Sequence, residues 1–114
     1  MKKDDLVFIE HILDSINAIE EFSKNLTRRE LENNRLKRSA IVREIEIIGE
    51  AAKNISNNFK NDYNEIPWRE IIGTRDKVIH HYFGVDLEIV WRIITIFLPD
   101  LKKKLEKIQR DPNI

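Results

Sequence analysis

Apolar residues recur every three or four positions along most of the chain, the period at which one face of an α-helix is buried. Leu6, Ile9, Ile12/Leu13, Ile16, Ile19 and Phe22 predict a first amphipathic helix over about 4–24. Thr27-Arg28-Arg29-Glu30 has the order of a capping box, so the connection is short and the next helix returns antiparallel. That second helix is predicted to run to about Phe59 on a near-heptad seam of Ile41, Ile45, Ile48, Ala52, Ile55 and Phe59, with Asn33-Asn34 weakening its first turns. Lys60 to Glu65 is polar and turn-like. Pro67 then opens a third helix that carries Trp68, Ile71, Ile72, Val78 and Ile79 inward and ends near Tyr82, with Phe83-Gly84-Val85 as the turn. Asp86 caps a fourth helix built on Leu87, Val90/Trp91, Ile94, Phe97/Leu98, Leu101, Leu105 and Ile108, which Pro99 kinks without resetting its period. No strand-type alternation interrupts this pattern. The predicted fold is all-α, an up-and-down four-helix bundle.

The second helix has a broader apolar arc than one core face needs. From Ile41 it extends through Ala40, Ile47 and Ala51 on one side and Val42 and Gly49 on the other. Burial at the centre of the bundle would cover such an arc, and so would a second subunit approaching over the small residues, which makes a homodimer the second expectation. The opposite stripe, Arg43, Glu46, Glu50 and Lys53, reads as solvated pairing within the helix.

With 114 residues the chain is expected to form a single domain, 1–114. It has no cysteine, which excludes disulfides, thiolate catalysis and cysteine-ligated zinc, and its three histidines make a poor metal site; no cofactor is expected. The N-terminus turns acidic at once instead of leading into a secretory apolar core, and no apolar run approaches membrane-spanning length, so a cytoplasmic protein with no membrane partner is expected. Formal charge is zero but uneven. Residues 1–23 carry two basic and six acidic side chains, whereas 24–43 carry seven basic (Lys24, Arg28, Arg29, Arg35, Lys37, Arg38, Arg43) and two acidic. The second stretch is either a solvated helical face or a phosphate-binding patch.

Chemistry concentrates in Arg75-Asp76-Lys77-Val78-Ile79-His80-His81-Tyr82, where an arginine, a histidine and a tyrosine stand at the spacing R-x4-H-x-Y. A permanently charged guanidinium beside an imidazole that titrates near neutrality suffices to attack a phosphodiester without a metal. The same three residues on a helix can also simply pack and hydrogen-bond. Adjacent histidines point about 100° apart on a helix, so one of them is the candidate; Asp76 stands one turn before His80, where a carboxylate would orient its ring. His11 reads as a partly exposed helix residue. On an ideal helix Arg75 and Tyr82 nearly eclipse while His80 lies roughly 140° from Arg75. A bent arginine, an irregular helix after Gly73, or a site completed by another subunit would each resolve that angle.

Ala40-Ile41-Val42-Arg43-Glu44-Ile45-Glu46-Ile47-Ile48-Gly49-Glu50-Ala51-Ala52, then Ile66-Pro67-Trp68, Gly73-Thr74-Arg75 to Tyr82, and Val85-Asp86 together resemble the HepT-type toxins of the HEPN superfamily, over nearly the whole chain. The resemblance implies an all-α bundle that dimerises with its R-x4-H-x-Y helices facing across a cleft, and a metal-independent ribonuclease acting on RNA. It further implies a partner, a minimal nucleotidyltransferase antitoxin that attaches AMP to the motif tyrosine. Carried over by position, Arg75 and His80 are catalytic, Asp76 supports them and Tyr82 is the modified residue. Arg43 and Glu50 match the family's second-helix block and are read as structural. The alternative function is a non-catalytic HEPN module that binds nucleotide or a nucleotidyltransferase; a plain helical dimerisation protein is the third.

Overall fold

Helix α1 (Lys2–Ser23) lies along α3 (Arg35–Lys53), and α3 lies in turn along α5 (Trp68–Val78), so α3 is covered from two sides. The computed structural model describes residues 2–80 and 84–113. Short helices α2 (Arg28–Asn33) and α4 (Asn57–Asp62) flank α3, and α6 (Leu87–Arg92), a π-helical turn (Ile93–Phe97) and α7 (Leu98–Gln109) complete the chain. Two strands of two residues each, β1 (Ile79–His80) and β2 (Gly84–Val85), pair antiparallel with Ile79 opposite Val85. Apart from them the fold is all-α, as expected. No helix among the described residues is long and apolar enough to cross a membrane.

The core follows the predicted seams. Ile9, Ile12, Ile16 and Ile19 of α1 meet Ile41, Ile45, Ile48 and Ala52 of α3, with Ile71 and Val78 on the other side, all buried. The broad arc of α3 is thereby accounted for within one chain: Val42, Gly49 and Ala51 are buried, and Ala40 and Ile47 half-buried. Its width does not require a second subunit.

The predicted second helix is three helices. Thr27 Oγ1 accepts from the Glu30 amide at 3.1 Å and faces the Glu30 carboxylate at 3.2 Å, so the predicted cap forms. Asn34 then takes an extended conformation, ends α2 and caps α3 by accepting from the Lys37 amide at 3.0 Å. A side chain that satisfies the backbone locally competes with continuing the helix, and here it wins. Past α3, Ser56 caps α4 through its hydroxyl.

The fourth helix begins at the predicted cap, with Asp86 accepting from the Ile89 amide at 3.1 Å, and it runs on through Pro99. It does so by a π-helical turn in which the Leu98 amide reaches back to the Ile93 carbonyl. The extra residue in that turn shifts the register, so Ile93 is buried and the expected Ile94 only half-buried. Proline offers no N–H for the preceding turn, which makes this the natural place for an irregularity.

Two polar ties close the ends. Tyr63 donates its hydroxyl to Asp111 at 2.9 Å, and the Trp68 indole donates to the Tyr63 carbonyl at 3.1 Å. Burial first, and the Asp111 carboxylate second, push the Tyr63 hydroxyl up to about 12, which keeps it protonated as a donor. Asp5, buried near the start of α1, accepts from both the amide and the hydroxyl of Ser56, each at 2.8 Å. This bond joins residues 51 apart in sequence and fixes α1 against the junction of α3 and α4. Asp5→Ala, which strands a half-buried amide and hydroxyl, is expected to lower stability by about 2 kcal/mol, while Asp4→Ala changes it by less than about 0.5 kcal/mol. Urea unfolding of the two variants measures this, and equal midpoints would contradict the assignment.

Candidate functional site

On α5, Ile71, Thr74 and Val78 point into the core at helical spacing, which turns Arg75, Asp76 and Lys77 outward. The Arg75 side chain is 59% exposed; its Nε stands 3.3 Å from Glu46 Oε2 on α3, and its Nη1 is 3.8 Å from Asp76 Oδ1. The pairing across helices depends on their separation. A Cβ at Gly49 would sit 3.4 Å from the Ile71 carbonyl oxygen and 3.5 Å from that of Ile72. Any longer side chain there would wedge α3 from α5 and separate Glu46 from Arg75. Glu46 was assigned from sequence to pairing within its own helix; it pairs with α5 instead.

The helix does not run to Tyr82. It ends at Val78, and Ile79 is extended. Three features stop it. Val78 and Ile79 are both β-branched, which favours extended backbone. The Asp86 amide donates to the Val78 carbonyl at 2.7 Å, satisfying an acceptor that the helix leaves open. Gly84 has φ +90°, a conformation that glycine adopts freely, and this brings β2 back onto β1. The motif therefore spans two kinds of structure, with Arg75 on the last turns of α5 and the His80 backbone on β1. The roughly 140° separation of an ideal helix does not apply to this pair. Nor does the one-turn relation of Asp76 to His80; Asp76, 87% exposed, neighbours the Arg75 guanidinium instead. His80 is described here by its backbone alone, and Tyr82, with His81 and Phe83, lies outside the described residues.

Around Arg75 the three helices leave a groove of about 370 Å³, lined by Phe8 and His11 of α1, Arg43, Glu46 and Glu50 of α3, and Arg75. A second hollow of about 340 Å³ shares Glu46, Glu50 and Arg75 and adds Lys53, Ile72 and Asp76. Arg75 stands where the two meet. His11, read from sequence as a partly exposed helix residue, opens onto this groove, with its ring edge-on to Phe8 at a centroid distance of 6.1 Å. The signal that would have found it is the i,i+3 spacing of Phe8 and His11 just off the core seam of α1. Arg43, read as structural, has no ion pair among the described residues and is free to meet an anion. Elsewhere in the basic stretch, Arg28 pairs with Glu88 and Arg38 donates to the carbonyls of Leu31 and Glu32, so part of that charge serves the fold. Lys24, Arg29, Arg35 and Lys37 are exposed.

Residues 12–108 match the HepT-like family, described as ribonuclease HepT-like. Over 110 residues the chain is 42% identical to "Probable ribonuclease HepT" of Thermococcus cleftensis, covering 96% of this chain and 100% of that protein. It is 41% identical over 111 residues to the Methanocaldococcus jannaschii protein named "Gamma-glutamylcyclotransferase and putative RNase". That match covers 97% of this chain but spans only half, 50%, of the longer relative. No solved structure matches. The chain belongs to the HepT-like ribonuclease family of the HEPN superfamily.

The turn that ends α5 has a test of its own. Gly84→Ala places a side chain at φ +90° and is expected to lower stability by about 1–2 kcal/mol. It should also cut protection of the Asp86 amide, whose acceptor is the Val78 carbonyl. Hydrogen exchange reads this directly; unchanged Asp86 protection would show that the turn does not hold the end of the helix.

Proposed function

We propose that this protein is a metal-independent endoribonuclease, the toxin of a type II toxin–antitoxin pair, acting as a homodimer of four-helix bundles on RNA. The observation that carries this reading is Arg75, exposed where the two hollows meet and three residues before the end of the helix that leads to His80, in a chain of a ribonuclease family. In the proposed reaction the His80 imidazole accepts the proton of a ribose 2'-hydroxyl, whose oxygen attacks the adjacent phosphorus. Arg75 stabilises the negative charge that builds on the phosphate oxygens. The bond from phosphorus to the 5'-oxygen breaks, and that oxygen takes a proton, leaving a 2',3'-cyclic phosphate and a 5'-hydroxyl. Acceptor and donor act on opposite sides of one phosphorus, which one imidazole cannot do in a single step. A two-fold dimer that faces two copies of His80 supplies both, and this is the support for the homodimer. Arg43, which lines the groove and has no ion pair among the described residues, fits the path of the flanking phosphate.

His80→Ala and Arg75→Ala are each expected to reduce RNA cleavage by about 100-fold or more with unfolding midpoints near that of the wild type, whereas His81→Ala has the smaller effect. Cleavage should persist in EDTA. Equal cleavage by wild type and His80→Ala, or loss of cleavage in EDTA, would contradict the mechanism; RNA bound but left intact by the wild type would favour the non-catalytic HEPN module.

Control is proposed to act at Tyr82, through AMP transferred by a minimal nucleotidyltransferase antitoxin. Seven residues after Arg75, an added phosphate and base would compete for the space and charge that the RNA phosphate uses. Tyr82→Phe keeps the ring and removes the acceptor oxygen, so it should fold, take up no AMP and escape neutralisation by that route. Mass spectrometry after incubation with the partner and ATP gives the answer: AMP on another residue, or undiminished labelling of Tyr82→Phe, would refute the assignment.

A further inference from the structure

We infer that Glu46 is a positioning residue for Arg75, holding the guanidinium by its Nε edge so that the Nη1–Nη2 fork is offered to the reacting phosphate. The inference rests on the proposed role of Arg75. Glu46 Oε2 lies 3.3 Å from Arg75 Nε, across a sequence separation of 29 residues. The Glu46 side chain is 28% exposed and stands on a helix whose neighbouring residues Ile45, Ile48 and Gly49 are buried, so its base is rigid. The Arg75 side chain, at 59%, is the more exposed member, with fewer neighbours of its own to hold it. A guanidinium can grip an anion through Nε with one Nη, or end-on through both Nη atoms. Once Nε is engaged by a carboxylate, the end-on fork remains; Asp76 Oδ1 stands 3.8 Å from Nη1, beyond hydrogen-bond distance, so it neighbours the fork without holding it. Glu50, one turn further along α3, lines the same groove but holds no such partner among the described residues.

Stability does not explain the pair. Ion pairs this exposed contribute roughly 0–1 kcal/mol, and a carboxylate beside a phosphate path repels the substrate in the ground state. Both points give Glu46 a signature that a packing residue lacks. Removing it should ease RNA binding by taking away a like charge, and it should slow the chemical step by freeing Arg75 to wander. An error of about 1 Å in such a group can cost on the order of 100-fold in rate.

The experiment uses the full chain and a short fluorescent single-stranded RNA, in EDTA, with wild type, Glu46→Ala, Glu46→Gln, Arg75→Lys and the Glu46→Ala/Arg75→Lys double variant. Glu46→Ala is expected to lower kcat by about 10- to 100-fold with KM unchanged or reduced. Glu46→Gln, which retains an acceptor for the Nε–H, should recover part of the loss. In the Arg75→Lys background, where no Nε–H exists to be held, Glu46→Ala should add little further loss. Undiminished kcat in Glu46→Ala, or a full additional loss in the Arg75→Lys background, would overturn the inference. A second measurement separates it from the ribonuclease reading: the Arg75 Nε–H resonance in nitrogen-15 NMR should be sharp in wild type and broadened by fast exchange in Glu46→Ala. An identical resonance in both proteins overturns the positioning role whatever the activity, while absence of cleavage by wild type overturns the ribonuclease reading alone.

Discussion

The close approach of α3 and α5 at Gly49 sets the geometry of the candidate site. A Cβ at Gly49 would already stand at contact distance from the carbonyl oxygens of Ile71 and Ile72, so a side chain reaching beyond Cβ has no room between the helices. The pairing of Glu46 with Arg75 is placed by that distance. Glu46 lies just before Gly49 on α3 and Arg75 just after Ile72 on α5, so antiparallel helices at this spacing bring carboxylate and guanidinium together. The groove between α1 and α3 and the hollow between α3 and α5 then share one wall, and Arg75 belongs to both. Asp5, bonded to Ser56, anchors α1 along that same wall and so keeps Phe8 and His11 on the groove.

The second constraint is where α5 ends. A helix continued to Tyr82 would set His80 well around the cylinder from Arg75. Stopping at Val78 removes that geometry, because the following residues advance along a strand instead of turning about the helix axis. The stop is held by hydrogen bonding as well as by side-chain preference: the Asp86 amide bonds back to Val78 while the Asp86 carboxylate caps α6. One residue thus closes the turn and starts the next helix.

Much of this was legible in the pattern of residues. The seams of α1, α3 and α5 and the caps at Thr27 and Asp86 were read correctly because they are local, each carried by side chains within one or two turns. What escaped shares one property: periodicity defines faces but not partners. The stripe containing Glu46 looked solvated because its mate lies 29 residues away, and His11 looked ordinary because Arg43 and Glu50 come from another helix. The broad arc of α3 was open to two explanations, and the packing of α1 and α5 covers Val42, Gly49 and Ala51 while leaving Ala40 and Ile47 half-buried. The breaks at Asn34 and Val78 had signals, in paired asparagines and paired β-branched residues, but the strong helical period around them outweighed these. The π-helical turn before Pro99 left no trace beyond the proline.

The central claim is that RNA is cut by its own 2'-hydroxyl, with Arg75 and His80 supplying charge and proton transfer. The most direct measurement is the chemical identity of the cleaved ends, determined by mass spectrometry on a defined single-stranded RNA cut in the presence of a chelator, alongside the same RNA with one deoxyribose at the cleavage position. The account predicts a 2',3'-cyclic phosphate and a 5'-hydroxyl, and no cleavage at the deoxyribose. A 3'-hydroxyl with a 5'-phosphate, or undiminished cleavage at the deoxyribose, would contradict it.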